Sequence, residues 1–205
     1  HGFTSYQIGA LGYNSMRWTG LNRNKSLLFG TTWGLIYQTG IEIQDGTSAQ
    51  WGFSWGDMFA NGMGTLLFTG QQLIWDEQRV VPKFSFHTTE FPSIRSEITG
   101  ETFQQQIFKD YNGQTYWLSA NLACFLKKKD SKFPKWLSIS VGYGSTGMIG
   151  GHANPRFDYD GNPYPVLDRY SQVYFSLDVD LQRIETKSAL LKTVLAGLSI
   201  FKFPF

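Results

Sequence analysis

The sequence contains a single cysteine and few charged residues for its length. Among the 205 residues, Cys124 is the only cysteine, so an internal disulfide and a zinc site built from several cysteines are both excluded. Charged residues make up 17% of the chain, whereas a typical soluble domain carries roughly 25%. The formal net charge is +2, too small to indicate nucleic-acid binding. We therefore expect no nucleic-acid partner.

The sequence also lacks the motifs of the common enzyme classes. It has no Gly-x-Ser-x-Gly, no His-Glu-x-x-His and no phosphate-binding loop of the Gly-x-x-x-x-Gly-Lys-Ser/Thr type. Internal repeats and low-complexity tracts are missing as well. These absences lead us to expect no cofactor.

Aromatic residues and glycines are abundant instead. Aromatic residues account for 17% of the chain, and there are 22 glycines. Low charge combined with many aromatic side chains favours contact with a membrane or with a large partner surface. Five tryptophans would suit the interface between a membrane and water: Trp18, Trp33, Trp51, Trp55 and Trp75.

The character of the sequence changes near Pro82, which predicts a helical part over residues 1–81 and a mixed part over residues 82–205. Three long uncharged stretches, His1–Met16, Ser26–Ile41 and Met58–Trp75, predict helices. A full membrane span needs about 20 mostly apolar residues, and each stretch is shorter and carries polar residues. We expect a three-helix bundle that is buried in its own contacts or dips into lipid.

Helix ends and helix contacts follow from local patterns. Ser26 is the expected N-cap of the second helix, and Ser54 that of the third, with Asp57 at its N3 position. Small residues at every fourth position let helix backbones approach closely. This spacing predicts helix contacts at Gly30, Gly34, Gly56, Ala60 and Gly64.

The second half of the sequence indicates a small sheet and a final helix. Apolar and polar residues alternate over Gln172–Leu181, as expected for a strand. The stretch "WLSISVGYG" is also strand-like, and "TGETFQQQIFKDYNG" predicts a helix that ends at Asn112–Gly113. An apolar stripe near the end of the chain predicts an amphipathic helix: Leu190, Leu191, Val194, Leu195 and Leu198. We therefore expect the α+β class.

Polar residues recur along one line of each N-terminal helix, at steps of three or four residues. We call this set the polar seam: His1, Ser5, Gln38, Glu42, Asp45, Asp57, Asn61, Thr65, Thr69, Gln72 and Asp76. Because a short connection joins the second and third helices, antiparallel packing would bring Glu42 and Asp45 close to Asp57 and Asn61. Such groups must be paired, hydrated or protonated in apolar surroundings.

The seam resembles a motif of the VanZ-like and YfiM-like families. The matching residues are His1, the "IEIQD" element with Glu42 and Asp45, and the "SWGDMFANGMG" element with Asp57 and Asn61. The sequence of these elements is most similar to that of the YfiM-type predicted lipoproteins of Bacteroidota. The stretches "KDYNGQTYWLS" and "FSLDVDLQRIETKS" share that similarity. The resemblance implies a cell-envelope protein at the outer membrane. It implies no settled reaction.

Two functions remain open. In the first, which we favour, the chain is a non-enzymatic accessory subunit of an outer-membrane-associated complex on the periplasmic face, in contact with lipid. The resemblance alone suggests that this complex is the type 9 secretion translocon. The seam then holds three helices in register.

In the second function, the chain is a hydrolase or transferase that acts on a lipid-linked envelope substrate. The candidate catalytic residues are His1, Glu42, Asp45, Asp57 and Asn61. The histidine would exchange protons with an acid, or the acids would hold a divalent metal. The sequence shows neither a nucleophile nor a full ligand set, and it does not identify a small-molecule substrate.

Other polar features have simpler interpretations. The run Lys127–Lys129 is a solvated stretch or a contact with anionic headgroups. The segment Asp158–Tyr164 is a turn rather than a calcium loop, because the glutamate that closes an EF-hand is missing. His87 and His152 each stand alone in the sequence.

Overall fold

The computed structural model describes residues 1–47, 53–126, 133–151 and 153–203. These residues form six α-helices and four β-strands, numbered in chain order, and two short 3₁₀ turns, Leu122–Phe125 and Leu181–Arg183. The helices are α1 Gly2–Trp18, α2 Arg23–Gly46, α3 Trp55–Trp75, α4 Phe91–Thr99, α5 Phe103–Lys109 and α6 Ala189–Leu198. The strands are β1 Val80–Phe86, β2 Gln114–Asn121, β3 Leu137–Thr146 and β4 Tyr170–Val179.

The chain divides into two compact units, His1–Arg79 and Val80–Phe205. The first contains α1, α2 and α3, and the second contains the sheet and the remaining helices. The predicted change of character at Pro82 falls inside β1. The predicted α+β class is confirmed, with helices at the N-terminus, a small sheet and a C-terminal helix.

The caps of the long helices are set by side-chain hydrogen bonds. Asn22 caps α2, because its Oδ1 accepts a hydrogen bond from the backbone N–H of Lys25 at 2.9 Å. The predicted cap at Ser26 is wrong, since Ser26 lies inside the first turn and is buried. At α3 the prediction holds: the Oγ of Ser54 accepts a hydrogen bond from the N–H of Asp57 at 3.2 Å.

Glycines allow the three helix backbones of the first unit to touch. A Cβ on Gly64 would lie 2.0 Å from the carbonyl oxygen of Gly2, and a Cβ on Gly30 would lie 2.3 Å from the backbone nitrogen of Tyr13. A Cβ on Gly34 would approach the backbone nitrogen of Gly9 to 3.2 Å. These glycines therefore lie at the α1–α3 and α1–α2 contacts.

Two other predicted contact residues differ in their surroundings. The backbone of Ala60 lies against α1, because a Cβ on Gly2 would be 3.0 Å from the Ala60 carbonyl oxygen. Gly56 is exposed, and within the described residues its Cβ would meet only the Oγ of Ser54 at 3.5 Å. Gly56 lies in the first turn of α3, ahead of the contact with α1, so its predicted role as a helix contact is wrong.

The interior of the first unit is largely polar, and its exterior is apolar. Tyr6, Leu27 and Phe68 are buried among serines, glutamines, Glu42 and Asn61. Large apolar side chains are exposed on all three helices, including Trp18 at 90%. Further members of this surface are Phe29, Trp33, Ile36, Phe59, Leu66 and Ile74. Trp55 and Trp75 are also exposed, and Trp51 lies outside the described residues.

The sheet of the second unit is an antiparallel meander in the order β1-β2-β3-β4. Its inward face is polar and carries the buried Ser119, Ser140 and Asp178. Its outward face is apolar, and the exposed side chains are Tyr116, Leu118, Ile139, Val141, Tyr143, Val173, Phe175 and Leu177. The alternation predicted for the last strand is present in β4, with the apolar side facing outward.

The outer edge of β1 is paired with a segment that follows α6. The backbone N–H of Phe84 donates to the carbonyl of Ile200 at 2.9 Å, and the N–H of Lys202 donates to the carbonyl of Phe84 at 2.8 Å. Residues 200–202 thus cover an edge that would otherwise expose unpaired backbone groups.

The predicted helix in "TGETFQQQIFKDYNG" is α5, which ends at Lys109, before Asn112–Gly113. The helix α4 was not predicted. None of the helices in the described ranges combines the length and the apolar character that crossing a membrane requires.

Two glycines of α3 provide a matched test of the α1–α3 contact. Gly64→Ala should lower the free energy of unfolding by about 1–3 kcal/mol, the usual cost of overpacking, because the new methyl group meets the Gly2 carbonyl. Gly70→Ala places its methyl group where, apart from its own helix backbone, no atom of the described residues lies within 4 Å, and it should stabilise α3 by about 0.5–1 kcal/mol. Urea unfolding followed by circular dichroism measures both, and equal effects would mean that Gly64 is not at a close contact.

Candidate functional site

The polar seam lies on the facing sides of α1, α2 and α3, in layers one helical turn apart. Because α2 runs opposite to α1 and α3, residues later in α1 and α3 lie level with earlier residues of α2. The first layer contains His1, Glu42 and Asp57. The second contains the Ser5, Gln38 and Asn61 side chains. The spacing of four residues in the sequence is therefore the spacing of layers in the bundle.

His1 lies between the two carboxylates of the first layer. Its Nδ1 is 3.1 Å from Oε1 of Glu42, and its Nε2 is 3.6 Å from Oδ1 of Asp57. The Glu42 side chain is 1% exposed, whereas that of Asp57 is 41% exposed. The cluster is thus closed on the Glu42 side and open to solvent on the side of His1 and Asp57.

The two acids occupy opposite kinds of helix end. Asp57 is in the first turn of α3, where the helix dipole stabilises a negative charge. Glu42 is near the C-terminal end of α2, where the dipole disfavours one. Its Oε1 accepts no hydrogen bond from the described residues. A positive charge beside Glu42 would therefore be stabilising, and Nδ1 of His1 lies in that position.

Asn61 is the centre of the second layer and is 0% exposed. Its Oδ1 accepts hydrogen bonds from the Oγ of Ser5 at 2.9 Å and from the Nε2 of Gln38 at 3.1 Å. This single oxygen links all three helices. The Nδ2 of the same amide is buried and has no acceptor among the described residues.

The other seam residues on α3 divide into two groups. The Oγ1 atoms of Thr65 and Thr69 are buried without a hydrogen-bond partner in the described parts of the chain. Gln72 and Asp76 belong to a hydrogen-bond network at the far end of the bundle. There, Nε2 of Gln72 and Nε of Arg23 both donate to Oδ1 of Asp76 at 2.7 Å. The hydrogen bond from Arg23 holds the pKa of Asp76 below its ordinary value.

Residues outside the predicted seam complete this far network. Oε1 of Gln78 accepts hydrogen bonds from the Tyr6 hydroxyl at 3.0 Å and from Nε2 of Gln71 at 3.1 Å. Nε2 of Gln78 donates to Oε1 of Gln72 at 3.0 Å. Gln78 follows the end of α3, so helical spacing does not identify it.

Asp45 is the predicted acid that the structure leaves apart. It is half-exposed in the last turn of α2 and is not part of the group formed by His1, Glu42 and Asp57. It lies three residues after Glu42, so its side chain leaves the helix about 60° round from that of Glu42. The candidate site therefore contains four of the five predicted residues, with Asn61 one layer below the other three.

The chemistry available to this cluster is proton exchange or cation binding. The His1 imidazole touches two carboxylates, an arrangement that orients the ring and fixes its tautomer. One ligand atom from each of His1, Glu42 and Asp57 can be chosen so that all three lie within 4.8 Å of one another. No serine or cysteine nucleophile is hydrogen-bonded to His1 among the bonds of the described residues.

A second buried polar centre, which the sequence did not reveal, lies in the sheet unit. Asp178 of β4 pairs with Nζ of Lys83 of β1 at 2.7 Å and accepts a hydrogen bond from the Oγ of Ser119 at 2.5 Å. Nζ of Lys202 lies 3.9 Å from the same carboxylate. Burial lowers the pKa of Lys202, and Asp178 opposes that shift. The partners are far apart in sequence and share no local motif.

The aspartate turn and His87 agree with simple interpretations. Oδ1 of Asp158 accepts hydrogen bonds from the N–H groups of Asp160 at 2.9 Å and of Asn162 at 2.8 Å, as in a turn stabilised by an aspartate. His87 is exposed. His152 and Lys127–Lys129 lie outside the described residues.

Asn61 provides a test of the seam. Asn61→Ala should lower the free energy of unfolding by about 1–3 kcal/mol, because Ser5 and Gln38 lose their buried acceptor. The control is Asn14→Ala on the exposed side of α1, where we expect a change of less than about 0.5 kcal/mol. Chemical unfolding of both variants under one solvent condition measures the difference. If Asn61→Ala unfolds like the control, the seam does not hold the helices together.

Comparison with known proteins adds no assignment to this geometry: no family model, curated protein or solved structure matches the chain.

Proposed function

We propose that the chain is a non-enzymatic accessory subunit of an envelope complex on the periplasmic face of an outer membrane, and that it contacts lipid. The observation that carries the proposal is the inverted distribution of side chains in both units. Polar groups are buried, while large apolar groups are exposed. Contiguous apolar surface of this kind is typical of membrane or protein–protein contact sites.

The helical unit supports the proposal through its outer surface. Trp33 and Ile36 of α2 and Phe59 of α3 are all more than half exposed. The helices are held together by glycine contacts and buried hydrogen bonds, the means by which helices associate where hydrophobic burial supplies little driving force.

The sheet unit supports the proposal independently. Phe175 is 80% exposed at the middle of β4. In the sheet register, Phe175 is paired with Val141, and Tyr143 with Val173, so the apolar side chains are neighbours across the strands. This produces a continuous face rather than scattered single residues, and such a face is stabilised when lipid or a partner covers it.

The location and the partner rest on the sequence resemblance. The YfiM-like pattern carried by Glu42, Asp57 and Asn61 favours the envelope of Bacteroidota. Within that envelope, the complex we favour is the type 9 secretion translocon, which exports large cargo proteins. Affinity purification from native membranes, with mass spectrometry of the bound proteins, tests this part of the proposal.

The membrane contact is tested by fractionation. The protein should sediment with membranes and require detergent for release, because transfer of its apolar surface to water is unfavourable. Complete release by carbonate or high salt alone would rule out the lipid contact.

Substitutions on the sheet sharpen this test. A triple variant, Val173→Thr, Phe175→Thr and Leu177→Thr, keeps strand-forming residues on β4 and should release more protein without detergent. Val166→Thr is the control, because Val166 is an exposed apolar residue outside the sheet. Circular dichroism on both variants verifies that the fold is kept, and equal partitioning would mean that the sheet face does not contribute.

A second candidate function is an envelope hydrolase or transferase. The specific observation in its favour is the His1, Glu42 and Asp57 cluster, with a buried carboxylate next to an imidazole and an open side toward solvent. The two functions predict different effects of a conservative substitution in this cluster on protein abundance and cellular phenotype.

Asp57→Asn separates the two functions. The change preserves volume but prevents the group from accepting a proton at neutral pH. For an accessory subunit, a loss of cellular phenotype should follow a loss of folded protein and of complex. A variant with normal abundance and normal partners but no function would contradict the accessory role and favour the enzyme. Immunoblotting and co-purification alongside the growth or secretion assay measure all three quantities.

A further inference from the structure

We propose that His1, Glu42 and Asp57 bind one divalent transition-metal ion, with a preference for Zn²⁺-like ions over Mg²⁺ or Ca²⁺. The site is built from the residue that precedes α1, the last turns of α2 and the first turn of α3. It does not depend on the accessory role, and a metal-binding result leaves that role untouched.

The donor atoms are of the right kind and near the right places. One imidazole nitrogen and two carboxylate oxygens form a mixed nitrogen and oxygen set, which suits Zn²⁺ better than the all-oxygen cages of Mg²⁺ and Ca²⁺. Metal–ligand bonds of about 2.0–2.2 Å place tetrahedral ligands roughly 3.4 Å apart. The 3.1 Å between Nδ1 of His1 and Oε1 of Glu42 fits this distance.

The third ligand needs a side-chain rotation. Glu42 faces Nδ1 of His1 and Asp57 faces Nε2, whereas one nitrogen of the ring binds the ion, so the imidazole or the Asp57 carboxylate must turn. One donor atom from each residue can be chosen so that all three lie within 4.8 Å of one another, and binding would bring them to the roughly 3.4 Å of tetrahedral ligands. The half-exposed side chains of His1 and Asp57 can move without disturbing the bundle interior. Glu42, which is buried, is the fixed member.

Charge balance favours a divalent cation at this position. With a neutral imidazole, two carboxylates and a divalent ion sum to zero, so the buried Glu42 charge is fully compensated. A protonated His1 compensates only one of the two negative charges. The position of Glu42 at the C-terminal end of α2 increases the need for positive charge, because the helix dipole adds to the negative potential there.

A buried atom of Glu42 points to a ligand at the cluster. Oε1 of Glu42 accepts no hydrogen bond within the described ranges, although Nδ1 of His1 lies 3.1 Å away. Buried polar atoms in proteins are generally paired. A metal ion would satisfy this atom directly, and a water molecule bound to that ion would complete its coordination on the solvent side.

The open side of the cluster leaves room for such a water. Three protein ligands and one exchangeable position are typical of zinc sites that are not closed structural sites. Exposure of His1 and Asp57 also gives the ion a path from solvent. A bound ion would link the starts of α1 and α3 to the end of α2.

Metal binding is measured on the full chain, carrying a C-terminal tag without histidine. The protein is stripped with EDTA and dialysed, and Zn²⁺, Mn²⁺, Mg²⁺ or Ca²⁺ is then added. We expect one equivalent of Zn²⁺ per chain by elemental analysis and calorimetry, and a higher midpoint of thermal unfolding. Co²⁺ should give a visible absorption band that reports nitrogen and oxygen ligation.

Variants assign the binding to the three residues. Asp57→Asn and Glu42→Gln should each weaken Zn²⁺ binding by roughly tenfold or more, since even residues outside the first coordination shell produce losses of that size. Asp45→Asn and Glu77→Gln, which lie outside the cluster, should bind like the parent. If Glu42→Gln does not fold, the half-exposed Asp57→Asn still decides the assignment.

Two results would overturn the proposal. One is a parent protein whose metal content and thermal midpoint do not respond to any of the four ions, as expected if a protonated His1 simply bridges the two carboxylates. The other is Zn²⁺ binding that Asp57→Asn and Asp45→Asn retain equally, which would place the ion elsewhere.

Discussion

Hydrogen bonds and ion pairs between buried polar groups join the helices and strands of both units of this protein. In the helical unit, one amide oxygen of Asn61 accepts hydrogen bonds from α1 and α2 and thereby fixes the relative position of three helices. In the sheet unit, the carboxylate of Asp178 joins β4 to Lys83 of β1 and Ser119 of β2. Leaving such a group unpaired is costly in the low-dielectric interior. The polar contacts therefore specify the register of the helices and strands.

The distribution of apolar residues follows from this arrangement. The interior of the helical unit holds serine, threonine and glutamine beside Tyr6, Leu27 and Phe68, and many large apolar side chains lie on the outside. Backbone approach at Gly2–Gly64 and near Gly30 replaces the interlocking of large side chains. The exterior is therefore rich in large apolar side chains, a composition typical of contact surfaces.

Helical spacing predicted the site well, because the relevant side chains lie at steps of four residues on three neighbouring helices. Glu42, Asp57 and His1 meet as this spacing requires. The prediction for Asp45 fails because its side chain leaves α2 in a different direction from that of Glu42. The prediction for Gly56 fails because the first turn of α3 lies ahead of the contact between α3 and α1. The cap of α2 is Asn22 rather than Ser26, because the hydrogen bond between Asn22 and the Lys25 N–H starts the helix earlier in the chain.

The sheet unit was harder to predict from the sequence. The Lys83–Asp178 pair joins strands at opposite edges of a four-stranded sheet, and no periodic pattern connects residues so distant along the chain. Alternation in β4 identified a strand and its two faces correctly. It could not identify the buried face, because hydrophobicity normally assigns the apolar side to the interior and this sheet has the opposite arrangement.

The pairing of residues 200–202 with β1 has a consequence for the order of folding. All the described residues of the helical unit lie within the first 79 of the chain, so its contacts can form without the last residues. The outer edge of β1, in contrast, gains its backbone partners from a segment more than a hundred residues later in the sequence. That edge of the sheet is therefore completed only when the chain beyond α6 has docked, and contacts between residues so distant in sequence form slowly.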